Sequence, residues 1–157
     1  MKISLLADCP HEINKIAKWY YDEWVHLFPN MTEEGVRKGL TETSIHRNEI
    51  PLELVIHEND ELVGVAQLVY RENPKYPEYE HWLGGVVGAP EKRGSGMGNV
   101  LIREAKNKTV SLGVKALYLQ CESPYVTLYK KYGFQELHAP NHSDQIPRTI
   151  MVWFVTP

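Results

Sequence analysis

The sequence has little cysteine, no excess of basic residues and no long uncharged apolar run. Its two cysteines, Cys9 and Cys121, lie far apart and form no CxxC pair, which disfavours a disulfide framework and a zinc site. A formal net charge of −3 argues against general nucleic-acid binding, which needs a basic face. The apolar stretch before Asp8 is too short for a signal peptide, and no segment could span a bilayer. We therefore expect a cytoplasmic protein with no metal, nucleic-acid or membrane partner.

What the chain does contain is enough apolar residue for one compact domain. With 157 residues and 43% apolar content, a single domain over 1–157 is expected, without repeats or linkers. Hydrophobic periodicity predicts one mixed α/β domain with the element order β-α-α-β-β-β-α-β-α-β. The predicted strands cover 3–6, 52–57, 62–70, 79–87, 114–121 and 149–155, and the predicted helices cover 10–27, 32–40, 96–112 and 123–132.

Local turn and capping signals support these boundaries. Thr32, followed by two glutamates, is typical of a helix N-terminus, because a hydroxyl can accept a hydrogen bond from a free backbone N–H there. Asn59 and Asp60 accept positive φ angles and predict a tight turn between two strands. Gly113 is placed to end the third predicted helix.

The most informative segment is a glycine-rich turn between a predicted strand and a predicted helix. Gly94, Gly96 and Gly98 leave the backbone bare, and the helix that follows directs its free N–H groups and positive dipole end at the same place. Such a turn is an anion site, and a phosphate is its natural occupant. Lys92 and Arg93 add positive charge beside it.

Spacing separates this turn from two common nucleotide-binding loops. A P-loop needs a glycine followed by Lys and a hydroxyl residue, and no glycine of the chain has that context. In a Rossmann GxGxxG pattern the third glycine would fall on Asn99 or Leu101. Nucleotide hydrolysis and dinucleotide binding are therefore disfavoured.

The pattern that does fit is [QR]xxGx[GA], which is met by the six residues 93–98. Together with the preceding VVGAP segment and the later LYKKYGF segment at 128–134, it makes the chain similar to the GNAT superfamily of N-acetyltransferases. The resemblance covers essentially the whole chain. It implies an α/β (α+β) acyl-CoA N-acyltransferase fold, with a mixed, mostly antiparallel sheet flanked by helices.

The resemblance also implies where acetyl-CoA, the cosubstrate, would bind. Its diphosphate would lie on the turn, which comprises Arg93, Gly94, Ser95, Gly96, Met97 and Gly98, with Lys92 as a phosphate partner. Its pantetheine arm would lie along the preceding strand at Val86, Val87 and Gly88, past a bulge that glycines at 84, 85 and 88 would allow. Many family members carry an Asn near 121–124. This chain does not, and Ser123 is the expected substitute.

Catalytic roles follow in the same way. Tyr129 matches the family's tyrosine that protonates the departing thiolate. The alternative interpretation is a structural one, in which Tyr129 is an aromatic residue that packs on the core. A backbone N–H near Val86 would polarise the thioester carbonyl. His81 and Glu80, with Glu78 at the loop edge, are candidate bases, and the absence of any side-chain base stays open.

The expected function is acetyl transfer from acetyl-CoA to a primary amine of a small molecule or peptide by direct attack in a ternary complex, with the protein a monomer or homodimer. A non-catalytic CoA sensor of the same fold is the main alternative, and transfer to oxygen or of a longer acyl chain is another. The aromatic and acidic residues at 19–24 fit either a wall for a cationic amine or a packed stripe beside a solvated face.

Overall fold

The protein is described from a computed structural model, which covers residues 1–43 and 46–155. Residues 44, 45, 156 and 157 of the predicted domain lie outside the described residues. The strands are β1 (Lys2–Leu5), β2 (Leu52–Glu58), β3 (Glu61–Tyr70), β4 (His81–Gly88), β5 (Ala116–Cys121), β6 (Gln135–His138) and β7 (Thr149–Phe154). The helices are α1 (Ile13–Trp24), α2 (Glu33–Thr43), α3 (Met97–Ser111) and α4 (Val126–Lys130).

The seven described strands form one sheet in the order β1-β2-β3-β4-β5-β7-β6. Neighbouring strands are antiparallel except for β4 and β5, which are parallel. The prediction of a mixed, mostly antiparallel sheet flanked by helices is therefore confirmed.

Helices cover both faces of the sheet, and each face has its own buried apolar cluster. On one face Ile16 of α1 belongs to a cluster with Val65 of β3, and α2 adds Leu40. On the other face Leu101 of α3 belongs to a cluster with Leu83 of β4. This arrangement follows from the helical periodicity of the apolar residues, since each helix buries one stripe against the sheet.

The predicted turn and cap signals are confirmed. The Thr32 hydroxyl accepts a hydrogen bond from the Gly35 N–H at 3.0 Å, at the start of α2. Asn59 and Asp60 have φ angles of 52° and 66° and join β2 to β3. Gly113 has a φ of 74° just after α3 ends.

Several predicted bounds shift by one to three residues: α1 ends at Trp24 instead of 27, and β5 begins at Ala116 instead of 114. Three further differences have a clear physical reason. The edge strand β6 was not predicted, because its four residues are mostly exposed and have no apolar alternation. The strand predicted to begin at residue 79 begins at His81, since the Tyr79 N–H donates to the Tyr76 carbonyl within a turn. The first and last predicted helices each open with a short 3₁₀ segment, at Pro10–Glu12 and Ser123–Tyr125.

A bulge and a divergence of strands open the centre of the sheet. Ala66 pairs with Val86 and Leu68 pairs with Leu83, so β4 holds one residue more than β3 between these pairs. The bulge glycines, Gly84 and Gly85, therefore lie opposite Gln67. Strand β4 pairs with β5 only at Trp82 and Tyr118, and beyond that pair the two strands part.

Candidate active site

The glycine-rich turn has the backbone geometry expected of an anion site. After a 3₁₀ segment at Pro90–Lys92, Gly94 and Gly96 take left-handed φ angles of 78° and 87°, and α3 begins at Met97. Only glycine adopts these angles without strain. The Asn99 and Val100 N–H groups donate to the Gly96 carbonyl at 3.1 and 3.3 Å, and the N–H groups before them, at the turn, have no acceptor one helical turn earlier within α3.

A cavity of about 220 Å³ lies against this turn. Its walls come from the end of β4, the turn, the start of α3 and one residue of α1: Glu23, Val86, Val87, Gly88, Lys92, Arg93, Gly94, Gly96, Met97 and Gly98. A Cβ added at Gly98 would meet no described protein atom within 4 Å, and no left-handed φ occurs there. Protein packing therefore does not require a glycine at 98, whereas close approach of a ligand to the backbone would.

Two cationic side chains beside the turn pair with carboxylates. The Lys92 ammonium lies 3.5 Å from Glu58, and the Arg93 guanidinium lies 3.0 Å from Glu23 of α1. The Ser95 hydroxyl donates to the Lys92 carbonyl, and Ser95 does not line this cavity. The described part of the turn thus offers mainly bare backbone, with two positive charges at its edge.

A second cavity, of about 370 Å³, occupies the opening between β4 and β5. It shares Glu23 and Val86 with the smaller cavity, so the two spaces meet at the end of the bulge. Its polar lining includes Gln67, Glu72, Gln120, Glu122, Arg148 and His26, and its aromatic lining includes Trp24, Phe28, Tyr125 and Tyr129. The cavity beside the glycine-rich turn and this larger, partly polar cavity therefore adjoin at β4.

Tyr129, the predicted general acid, lies in α4 and lines the larger cavity. Its ring packs edge-on against Phe134, with the ring centroids 5.9 Å apart. Burial raises the pKa of Tyr129 well above its usual range, and the nearby Cys121 thiol adds to the rise. The phenol is therefore protonated at neutral pH, which is the form that can donate a proton.

The buried carboxyl group of Glu53 lies close to the bulge at Gly84 and Gly85 and contacts its neighbours. Glu53 of β2 is 1% exposed and accepts a hydrogen bond from the Tyr20 hydroxyl of α1. Burial raises the pKa of Glu53 to about 8. Glu53 lies opposite Gln67 in the β2–β3 pair, and the side-chain amide oxygen of Gln67 accepts a hydrogen bond from the Gly85 N–H at 3.2 Å. These side chains tie α1, β2 and β3 to the bulge.

The other predicted site residues lie outside both cavities. Glu80 precedes β4 and accepts a hydrogen bond from the Tyr70 hydroxyl at 2.6 Å, which lowers the pKa of Glu80. His81 packs against the ring of Tyr70, with centroids 5.7 Å apart. Ser123 is exposed at the start of a 3₁₀ segment. These three residues line neither described cavity, so their functional roles stay predictions without support from this geometry.

Four polar residues of the larger cavity were not singled out from the sequence. Gln67 is a polar residue inside an otherwise apolar strand, and this signal could have identified it. Glu72, Gln120 and Arg148 come from three separate segments, and only the fold brings them together. Glu72 is exposed as a residue, but desolvation by the cavity wall raises its pKa to about 7, while Arg148 and Gln120 oppose this rise.

Two further properties concern residues 1–43 and 46–155. In this part of the chain, His, Cys, Asp and Glu form no group of three that could hold a metal ion. None of its helices combines the length and apolar character needed to cross a membrane. Cys9 and Cys121 are both free thiols.

Comparison with known proteins identifies the family. No protein of curated function matches the sequence. An aminoglycoside 6′-N-acetyltransferase complexed with coenzyme A has a similar fold, with a TM-score of 0.75, 18% identity, and coverage of 100% of this chain and 98% of that one. The ribosomal-protein-alanine N-acetyltransferase of Brucella melitensis gives a TM-score of 0.74 at 17% identity over 99% and 100% of the two chains. A spermidine N-acetyltransferase of Vibrio cholerae gives a TM-score of 0.72 at 17% identity, with coverage of 98% of this chain and 95% of that one.

These identities are low, and such structures show the fold alone. The family model for GNAT acetyltransferases, in contrast, matches residues 13–134 of the sequence. This range includes β4, the glycine-rich turn, α3 and Tyr129. It covers well over half of the chain, which therefore belongs to the GNAT acetyltransferase family.

Proposed function

We propose that this protein transfers an acetyl group from acetyl-CoA to a primary amine of a small molecule or peptide, by direct attack in a ternary complex. The observation that carries the proposal is the junction of the two cavities at Val86. One cavity has the features of an anion site, and the other holds a protonated phenol among polar side chains. A bound thioester could reach from the first cavity into the second.

The glycine-rich turn would hold the diphosphate of CoA. The backbone N–H groups of Gly94, Gly96, Met97 and Gly98 would supply hydrogen-bond donors, whereas the Ser95 N–H donates to the Lys92 carbonyl at 3.1 Å, and the helix dipole of α3 favours negative charge. The free space above Gly98 supports close approach of a phosphate. Lys92 and Arg93 would exchange their carboxylate partners for phosphate oxygens, because both are exposed enough to move.

Strand β4 would hold the pantetheine arm. Because β4 pairs with β5 at one residue pair only, the backbone groups of Val86 and Gly88, which face away from β3, are available on that side to a strand-like ligand, and Val87 between them lines the smaller cavity. The Val86 N–H would donate to the thioester carbonyl, where negative charge develops during attack. Tyr129 would donate its proton to the sulfur as the carbon–sulfur bond breaks.

The larger cavity, which we propose as the acceptor space, favours a cationic amine. Glu72, Glu122 and Glu23 line it, against a single arginine, Arg148, in the lining. The indole of Trp24 adds a surface on which an ammonium group can rest. Aminoglycosides, spermidine and peptides with a free N-terminus are therefore the first acceptors to test, and similar folds act on amines of these kinds.

Release of free thiol from acetyl-CoA, measured with a panel of these three amine classes, tests the proposal. We expect amine-dependent release, and Tyr129→Phe should lower kcat by about 100-fold while leaving the affinity for CoA unchanged. A non-catalytic CoA sensor would bind CoA without thiol release. Failure of the wild-type protein to bind CoA at millimolar concentration would contradict both the enzyme and the sensor.

A further inference from the structure

Glu72 occupies a position in the acceptor space that no motif assigns. It lies in the connection between β3 and β4, two residues after β3 ends at Tyr70. It lines the same cavity as Tyr129, Gly85 and Val86. The carboxylate therefore shares one space with the proposed acid and with the backbone that would hold the thioester.

Neighbours from two other segments lie near this carboxylate. The Asn73 side-chain amide donates to the Gln120 carbonyl oxygen at 3.0 Å. Gln120 also interacts with the Glu72 carboxylate and favours its charged form. Arg148, which precedes β7, attracts the carboxylate electrostatically. Glu72 thus lies at the cavity wall with Gln120 and Arg148 as neighbours, although it comes from a loop.

We propose that the Glu72 carboxylate is the catalytic base that accepts a proton from the acceptor amine, a role that rests on the proposed function. An ammonium group that becomes an amide loses two protons. One passes to Glu72 and from there to solvent. The other replaces the proton that Tyr129 donates to the departing sulfur. The nitrogen–carbon bond forms as the carbon–sulfur bond breaks, so that charge and protons balance.

The electrostatics of the cavity suit this role. Glu72 is exposed as a residue, yet desolvation by the protein around its carboxyl group raises its pKa to about 7, and Arg148 and Gln120 keep the rise from being larger. A base that is partly ionised near neutral pH can both accept a proton and release it again. The charge of Glu72 also contributes to the raised pKa of Tyr129, and both residues line the same cavity.

Other titratable groups face the same cavity and are alternatives that an experiment must separate. They come from α1 and the segment after it, from β5 and its continuation, and from α4: Glu23, His26, Cys121, Glu122, Tyr125 and Tyr129. Glu23 is engaged by Arg93, and burial raises the pKa of Cys121 to about 11. His26 and Glu122 are the closest rivals to Glu72, because each could also exchange a proton with an amine.

The pH dependence of kcat tests this assignment of the base. We would measure kcat by thiol release at saturating acetyl-CoA and at a saturating concentration of the best amine of the panel. In the wild-type protein we expect kcat to fall as the pH drops below about 7, because protonation removes the base. Glu72→Gln should lose this dependence and reduce kcat about 100-fold at pH 7.5. Its affinity for CoA, measured by calorimetry, should not change.

Three variants serve as matched controls. Glu122→Gln removes a carboxylate charge from the same cavity, and His26→Asn removes the rival imidazole base. Both variants should keep the acidic limb of the profile, which is the fall of kcat below about pH 7. Glu42→Gln, on the exposed surface of α2, should leave activity unchanged. If Glu72→Gln keeps the limb and stays within twofold of the wild type, or if His26→Asn loses the limb instead, the assignment is wrong. Absence of thiol release from the wild-type protein would contradict the proposed function itself.

Discussion

Replacing Gly98 by Gln should make the protein more stable and, at the same time, unable to bind CoA well. Gly98 is the second residue of α3, has no left-handed φ, and has open space where a side chain would begin. A residue other than glycine should therefore stabilise the helix by up to about 1 kcal/mol. The added side chain would fill the cavity proposed for the diphosphate. Loss of two hydrogen bonds to a charged group, at about 1.5–3 kcal/mol each, predicts at least a 100-fold weaker affinity.

Urea denaturation measures the first effect and titration calorimetry with CoA measures the second. Gly39→Gln is the matched control, because Gly39 lies in a helix, is exposed, and also has no described atom outside its own helix backbone within 4 Å of an added Cβ. It should gain comparable stability and bind CoA like the wild type. If Gly98→Gln binds CoA within threefold of the wild type, the diphosphate does not lie on this turn.

Two further predictions concern the support of the bulge. Glu53 has a pKa of about 8 in the folded protein against an ordinary value of 4.5, so its stabilising contribution is complete below pH 4.5 and is lost as the pH rises through 8. Between these pH values the wild type should lose roughly 1 kcal/mol of unfolding free energy per pH unit, measured by urea denaturation at several pH values. The unfolding free energy of Glu53→Gln should depend less steeply on pH. An equal pH dependence in both proteins would contradict a buried, neutral Glu53 carboxyl. Gly85→Ala would place a Cβ 3.0 Å from the Tyr20 ring and 3.1 Å from Trp24. It should destabilise the protein by about 1–3 kcal/mol and lower kcat, and an unchanged melting temperature would contradict the close packing of α1 on the bulge.

The sequence predicts well those features that depend on neighbouring residues. The turn with Gly94 and Gly96, the hairpin at Asn59 and Asp60 and the cap at Thr32 each follow from local backbone chemistry, and each is confirmed. The main strands and helices follow from the spacing of apolar residues. Strand β6 was missed because an exposed edge strand needs no buried face, and its sequence therefore carries no alternation.

The larger cavity could not be predicted in the same way. Glu72, Gln120 and Arg148 are separated by long stretches of chain and meet because β5 lies between β4 and β7 in the sheet. Apolar periodicity indicates which residues are buried, but it does not indicate the strand order. The predicted bases His81 and Glu80 follow a family pattern for the strand before the turn, whereas in this chain that end of β4 lies beside Tyr70.

The central claim is that CoA lies along β4 and on the turn that precedes α3. Titration of unlabelled CoA into ¹⁵N-labelled protein, followed by backbone amide NMR, tests it most directly. We predict that the largest shifts occur at the amides of 86–88 and 94–98, and that the amides of β1 and α2 stay in place. Saturable binding that shifts a different set of amides, or no shift at millimolar CoA, would contradict the account.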